Sequence, residues 1–401
     1  MNNESAAVRA TGSGASARAS LRRGDSWRQA TEAVIESLEL DSPVDLALVF
    51  VHSQFADDYG RVLATIRKRT GATYLIGCSG EGVIGTAVEA EGVPAISVMA
   101  LRLPGARFTP VRIAAAPPFD AALEPVAGAE AGAWLMFADP YSVDGAELTS
   151  AVDARASRAP ILGGLASAHN EASETAVFLG DQAYQAGAVL MGIAGDVDLH
   201  ILVAQGAQPI GQPWTITDCE ENVIRTIASR PALEVLTETL DGLDEPTQER
   251  ARQNLLVGLA MDEYRDEHSR GDYLIRNLLG IDRPTAAIAI NAVPQPGQTI
   301  QFQLRDARAA DEDLASRLRA FSAQLGTDQA LLGALLCSCN GRGRGLFGVP
   351  NHDAQALTEE LGAVPTAGLF CSGEIGPVGG QTFLHGFTAT VAFITTPSGQ
   401  G

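Results

Sequence analysis

The chain is 401 residues long, more than one ordinary core can organise, so two domains are expected and three at most. With 46% hydrophobic and 19% charged residues it has the means to bury a core, while 48 acidic against 28 basic residues leave a net charge of −20. That balance excludes non-specific binding to nucleic acid or to anionic membrane, which depends on Lys and Arg neutralising phosphates. Five cysteines, an odd number, do not make a disulfide framework and read as reduced thiols of a cytoplasmic protein. No apolar run approaches the roughly 18–20 residues of a spanning helix.

In chain order, residues 1–24 are rich in Ser, Ala and Arg with no apolar centre, so they read as a disordered tail and not as a secretory signal. A helix is expected over 27–40, capped by Asp25 or Ser26, with Trp27, Ala30, Val34, Ile35 and Leu38 on one face. LALVFVH (46–52) has the continuous apolar character of a strand covered on both sides. A helix over 56–71, closed by Gly71, and a strand over 72–78 follow. This strand–helix–strand unit delivers CSGEGVIG (78–85) at the carboxyl end of its second strand.

The pattern returns twice. AWLMFAD (133–139), a helix around 144–156 and APILGGLAS (159–167) form a second unit. ALLGALLCSC (330–339), a helix over 351–362 and PTAGLFC (365–371) form a third, which runs into CSGEIGPVG (371–379). Further strands are expected at 93–103, 186–195, 200–206, 286–291, 299–304 and 383–394, and residues 231–280 read as helical. The expected fold is mixed α/β: two related domains with mixed parallel and antiparallel sheets flanked by helices, built on repeated strand–helix–strand units. The domains are expected at 25–228 and 229–395, with a short tail at 396–401.

Open α/β sheets bind ligands at the carboxyl ends of their strands, which is where both CSGE segments fall. Cys78, Ser79 and Glu81, their counterparts Cys371, Ser372 and Glu374, and Gly163 and Gly164 of the GGLAS end are therefore candidate ligand-binding residues. CNGRGRGLFG (339–348) adds Asn340, Arg342 and Arg344, because an arginine in a glycine loop after a buried strand suits a carboxylate or phosphate. GRGLFG matches G-x-G-x-x-G, but VPNHD separates it from the next expected helix, so a dinucleotide fold is not implied. The only lysine, Lys68, lies outside any phosphate loop. Cys337 and Cys339 make a C-x-C pair without the spacing of a structural zinc site, and no metal is assigned. His385, in FLHGFTA, completes the set; it is the one histidine near a motif. A hydrolase using Cys371 or Ser79 with His385 is the enzymatic alternative, although no acid–base or nucleophile set is complete and no catalytic residue is assigned. A protein–protein adapter is a third reading.

Taken together, GCSGEGVIG, PILGGLAS, VAQGAQPIGQPWTIT (203–217), CNGRGRGLFG and above all GLFCSGEIGPVGGQTFLHGFTA (368–389) resemble the FIST family, over roughly residues 44–390. The resemblance implies a sensory domain of bacterial signal transduction, made of an N-terminal and a C-terminal FIST segment, that binds a small ligand. An amino acid or other small carboxylate is the ligand expected, and an amino acid presents both an acid for the arginines and an amine for the glutamates. No cofactor is implied. No output domain is expected after residue 401, so the signal is expected to pass through a separate signalling protein.

Overall fold

Three successive segments of the chain each fold as strand, helix, strand, helix, strand, hairpin, strand. The computed structural model describes residues 5–10, 14–114, 118–169, 175–265 and 267–397. A first strand β1 (Ser5–Arg9) pairs with β2 at the edge of its sheet. The first repeat is β2 (Ser16–Arg23), α1 (Trp27–Leu38), β3 (Leu46–His52), α2 (Tyr59–Thr70), β4 (Tyr74–Gly80), the hairpin β5 (Gly82–Gly85) and β6 (Val88–Glu91), and β7 (Ala95–Arg102). The second is β8 (Arg107–Ile113), α3 (Asp120–Ala127), β9 (Ala133–Ala138), α4 (Gly145–Arg155), β10 (Ile161–Leu165), the hairpin β11 (Val177–Leu179) and β12 (Gln182–Tyr184), and β13 (Ala188–Ala194).

The third repeat opens with β14 (Asp198–Gln205) and is then interrupted. The insertion holds β15 (Ala207–Pro209), β16 (Trp214–Glu220), β17 (Val223–Ile227), β18 (Arg230–Pro231), α5 (Ala232–Asp241), α6 (Glu245–Asn254), β19 (Leu255–Ala260), β20 (Tyr273–Asp282), β21 (Ala287–Ile290) and β22 (Thr299–Arg305). The repeat resumes with α7 (Ala307–Gln324), β23 (Leu331–Cys339), a one-turn α8 (Gly343–Phe347), α9 (His352–Leu361), β24 (Thr366–Cys371), the hairpin β25 (Glu374–Val378) and β26 (Gln381–His385), and β27 (Thr388–Thr395).

Each strand–helix–strand unit makes a parallel pair: β3 with β4, β9 with β10, β23 with β24. The hairpin that follows does not stay with its own sheet. The first repeat's hairpin extends the third sheet, the second's extends the first, and the third's extends the second. The three sheets therefore share one order, β2-β7-β3-β4-β11-β12, β8-β13-β9-β10-β25-β26 and β14-β27-β23-β24-β5-β6, around a pseudo-threefold axis. Their inner faces meet in one core, where Leu48, Leu135 and Leu335 hold corresponding places and the rings of Phe50 and Phe137 cross edge to face, centroids 5.4 Å apart. α1 and α2 cover the outer face of the first sheet, and α3 and α4 that of the second.

By compactness the chain forms two units. One comprises Met1–Val203, Leu314–Leu384 and Thr388–Gly401 and holds the three repeats; the other comprises Ala204–Asp313 and His385–Phe387. The strand–helix–strand units thus all lie in the first body. The second body is an antiparallel barrel, closed because β22 pairs with both β16 and β19 and the ring continues through β17, β21 and β20. Ile216, Ile224, Val257, Ile288 and Phe302 fill its core. The boundary expected at 228/229 falls within this barrel unit.

Four readings of the sequence change. Residues 5–9 and 16–23, expected in a disordered tail, form β1 and β2; β1 pairs with β2, and Ala17, Ala19 and Leu21 of β2 alternate into the core along β7. Residues 1–4, 11–13 and 398–401 of the two expected tails lie outside the described residues. Residues 255–260 and 273–282, expected as helix, are β19 and β20: LLVGLA is continuously apolar because it lies between β20 and β22. The single strand expected over 383–394 breaks at Gly386-Phe387, where Phe387 takes a φ of 60°. GRGLF, expected as a loop, is the helical turn α8.

Candidate functional site

Three glycines set the register of the parallel pairs. Gly77 faces Val49, Gly163 faces Met136 and Gly368 faces Leu336. A Cβ at any of the three would collide with the carbonyl oxygen of the residue opposite, so only glycine fits. Against the exchanged hairpins they face Phe178, Ile375 and Ile84 respectively. The three therefore hold one structural position, and positions beyond them can be compared directly.

The two CSGE segments, expected to be equivalent strand ends, are not in phase. Cys78 stands one residue after Gly77, whereas Cys371 stands three residues after Gly368. Cys371 takes the place of Gly80 and Glu374 the place of Val83. The position of Glu81 is held by Ser167 in the second repeat and Ser372 in the third. A shift of two preserves the face of a strand, so both cysteines still point inward, but the two glutamates end in different surroundings.

The three strand ends close on one another around the axis. Ser167 N–H donates to Ser79 O at 3.2 Å and Ser372 N–H donates to Leu165 O at 3.1 Å. The third link runs through a side chain: Glu81 N–H donates to Ser167 Oγ at 2.7 Å, and Ser167 Oγ–H donates to the Phe370 carbonyl at 2.6 Å. Ser167 thus stands in for the direct bond that the other two ends make. Sequence reading included its segment but not this residue, whose only signal is its place at the end of GGLAS.

Around this ring Glu81 is half-buried, while His169, Asn340 and Ser372 are exposed. Glu81 Oε1 lies 3.7 Å from His169 Nδ1, and the His169 amide donates to Ser53 Oγ at 3.1 Å. Asn340 N–H donates to the Cys371 carbonyl at 3.0 Å, which sets Asn340 beside Ser372. The mouth therefore offers a carboxylate, an imidazole, a carboxamide and a hydroxyl. His169 was not singled out from the sequence, where it stands outside every motif.

The other expected ligand residues are occupied by the fold. Cys78 and Cys371 are wholly buried, and burial pushes both thiols well above their usual range, helped at Cys371 by the charge of Glu374. Cys371 Sγ–H points to Ser338 O at 3.4 Å and Glu374 Oε1 at 3.3 Å, so it is not an activated nucleophile. Ser79 Oγ–H donates to Ser167 O at 3.2 Å, and its oxygen accepts from Ala176 N at 3.0 Å. Gly163 and Gly164 are buried, the latter against the Cys371 side chain.

Glu374, expected to meet a ligand amine, has no exposed surface. Its Oε2 accepts from Thr388 N at 3.0 Å and Thr388 Oγ1 at 2.7 Å; burial nevertheless raises its pKa to about 7. Arg342, expected to meet a ligand acid, is buried and forms a two-point ion pair with Asp353. Burial alone would push the Asp353 carboxyl up, but the guanidinium outweighs it and holds it well below the usual range. Arg344 is exposed, and its amide donates to the Glu91 carboxylate at 3.0 Å. His385 is buried and belongs to the barrel unit.

His52 holds the position of Asp139 and Cys339 in the other repeats, three residues after the partner of each register glycine. Its Nδ1 accepts from Gln54 N at 3.2 Å, and the ring has no exposed surface. Burial, reinforced by His169, lowers its pKa to about 4, so it is neutral near pH 7. Nε2 has no hydrogen bond of normal geometry; the Glu81 carbonyl favours its proton from outside those limits.

Among the described residues no group of three or more His, Cys, Asp or Glu side chains is placed to hold a metal ion, and no helix is long and apolar enough to cross a membrane. All five cysteines are free.

The family models that match the chain divide it at 230/232, inside the barrel unit and close to the boundary expected at 228/229. The model of the FIST N domain matches residues 45–230, and that of the FIST C domain residues 232–377. Two uncharacterized Mycobacterium tuberculosis proteins, from strains CDC 1551 and H37Rv, are each 34% identical over 385 residues, covering 92% of this chain and 96% of theirs. An uncharacterized Mycobacterium bovis protein is 38% identical over 258 residues, 64% of this chain and 66% of its own. An F-box/LRR-repeat protein of Arabidopsis thaliana is 31% identical over 116 residues, 24% of this chain and 22% of its own.

Proposed function

Because the chain belongs to the FIST family, whose domains are associated with sensory roles in signal transduction, we propose that it is a sensory protein that binds a small polar ligand at the mouth of the strand-end ring. The observation that carries this reading is the contrast between residues at that position. Cys78, Ser79, Cys371 and Glu374 are used up by buried bonds or packing, whereas Glu81, His169, Asn340 and Ser372 present unlike polar groups side by side at the carboxyl ends of parallel strands.

An amino acid or other small carboxylate is the ligand this set suits. Glu81 offers a carboxylate for an amine, and Asn340 and Ser372 offer neutral donors for an acid; Arg342 plays no part. The free thiols suit the cytoplasm, where such groups stay reduced. Occupancy would be reported to a separate signalling protein.

The test is a thermal-shift screen of the full chain with amino acids, organic acids and amines, followed by calorimetry. A ligand at 100 times its Kd stabilises the folded state by about 2.7 kcal/mol. Ser372→Phe, which fills the mouth from an exposed position, should abolish binding without lowering the unliganded melting temperature. Absence of any ligand, or a ligand whose affinity survives both Ser372→Phe and Glu81→Gln, would overturn the reading.

A further inference from the structure

We propose that His52 is the carboxylate-recognising floor of an amino-acid subsite whose rim is Glu81 and His169. This rests on the reading of the ring mouth as a ligand site and adds the residue that would make it selective for an α-amino acid.

Nδ1 of His52 accepts the Gln54 amide, so in the neutral ring the proton sits on Nε2. That Nε2–H is sealed from water without a hydrogen bond of normal geometry, a state that costs free energy and is seldom left without purpose. The β3–β4 register sets His52 opposite Gly80, and the ring has the Glu81 main chain and the His169 imidazole as neighbours.

The corresponding positions of the other repeats show what the fold does when no such role is required. Asp139 receives the Thr175 hydroxyl, and Cys339 Sγ receives the Gly341 amide at 3.4 Å. Only in the first repeat does this position carry an imidazole, and its buried Nε2 lacks a hydrogen bond of normal geometry beside the half-exposed Glu81–His169 contact.

The Glu81–His169 contact spans 3.7 Å and both side chains reach solvent, so it is weak and readily exchanged. A ligand ammonium that takes the place of His169 on Glu81 uncovers the His52 ring. The carboxylate on the same carbon then accepts from Nε2–H, and both charges of a zwitterion are met by groups that are otherwise poorly matched. An amine without the carboxylate satisfies only Glu81.

The experiment compares the tightest-binding of the twenty L-amino acids with the amine that lacks its carboxylate, by calorimetry on the full chain. The wild type should prefer the amino acid by at least about tenfold. His52→Asn keeps an acceptor for the Gln54 amide but has no group at the Nε2 position, and should reduce that preference to about threefold or less while leaving amine affinity unchanged. His52→Gln, which restores a donor there, should recover most of it. Glu81→Gln should weaken amino acid and amine alike. In uniformly 15N-labelled wild-type protein, the amino acid should move the His52 Nε2 resonance and the amine should not.

If His52→Asn keeps the full preference, or the Nε2 resonance ignores the amino acid, the assignment of His52 is overturned while the mouth remains a ligand site. If no amino acid and no amine binds the wild type, both readings fall together. Should His52→Asn not fold, the wild-type resonance decides alone.

Discussion

The Arg342 guanidinium grips the Asp353 carboxylate at two points, Nε to Oδ2 at 2.8 Å and Nη2 to Oδ1 at 2.9 Å, with both side chains fully buried. Ser338 Oγ–H adds a third bond to Oδ2 at 2.8 Å, so β23, the loop after it and α9 are tied to one carboxylate. Removing one member strands a buried charge. Arg342→Met should therefore destabilise the protein by about 3–5 kcal/mol, read from urea unfolding. The double variant Arg342→Met/Asp353→Leu should recover much of the loss, because no charge is left uncompensated. A single variant of near wild-type stability would mean the pair is not a structural element.

Gly77, Gly163 and Gly368 make a sharper test of the threefold description. Alanine at each should push the parallel pair apart and cost more than about 3 kcal/mol, above the usual range for overpacking because the obstacle is backbone. Gly60, on α2, has open space where a Cβ would go. Gly60→Ala should stabilise by about 0.5–1 kcal/mol. Thermal melts of the four variants settle the matter, and equal costs at the three register positions are the signature of equivalence.

Why was so much of the first body legible and so little of the second? The strands β3, β9 and β23 are continuous apolar runs bounded by capped helices, and that pattern survives without any partner in view. The barrel strands β19 and β20 owe their state to neighbours far along the chain, so Leu255–Ala260 looks like the continuation of α6 until β22 is seen beside it. β2 was hidden for a related reason: its small alternating residues, Ala17 and Ala19, resemble low-complexity sequence unless the core they enter is known. At the site, the repeated tetrapeptide drew attention to two strand ends that close on the same ring, but to the wrong correspondence between them. Identity of letters aligned Glu81 with Glu374, whereas backbone register aligns Glu81 with Ser372. Arg342 was misread because its partner, Asp353, lies in the next helix, and nothing local announces a buried pair.

His52 gives an acid-side dependence. Its folded pKa, about 4, lies below the 6.5 of the unfolded chain, so between these values the unfolded state binds the extra proton. The stability it contributes is complete above pH 6.5 and falls as the pH drops towards 4, by up to about 3 kcal/mol. His52→Asn should remove that portion of the slope. Urea midpoints measured from pH 4.5 to 7.5 report it directly, and an unchanged slope would place the imidazole in contact with water.

Three of the five thiols should be silent in the native state. Cys78, Cys337 and Cys371 are fully buried with pKa values raised, whereas Cys219 and Cys339 retain partial exposure. A disulfide-exchange reagent should label two sites quickly and the rest only on unfolding. Fast labelling of Cys371 would revive it as a nucleophile.

Glu374 has the opposite sign from His52. Its folded pKa of about 7 exceeds the ordinary 4.5, so between pH 4.5 and 7 the folded state is the one that holds the proton. Its contribution is present at low pH and is lost as the pH rises through 7. Glu374→Gln keeps a carbonyl oxygen for Thr388 but has nothing to ionise. Relative to wild type the variant should therefore gain stability with rising pH, by about 2–3 kcal/mol between pH 5 and 8, and then hold that advantage. The comparison is made by urea unfolding at each pH, with Glu81→Gln as the control, because Glu81 reaches solvent and Glu374 does not. A constant difference between Glu374→Gln and wild type would mean that the buried carboxyl does not titrate in this window, and that Thr388 and the Cys371 thiol stabilise its charge more than burial opposes it.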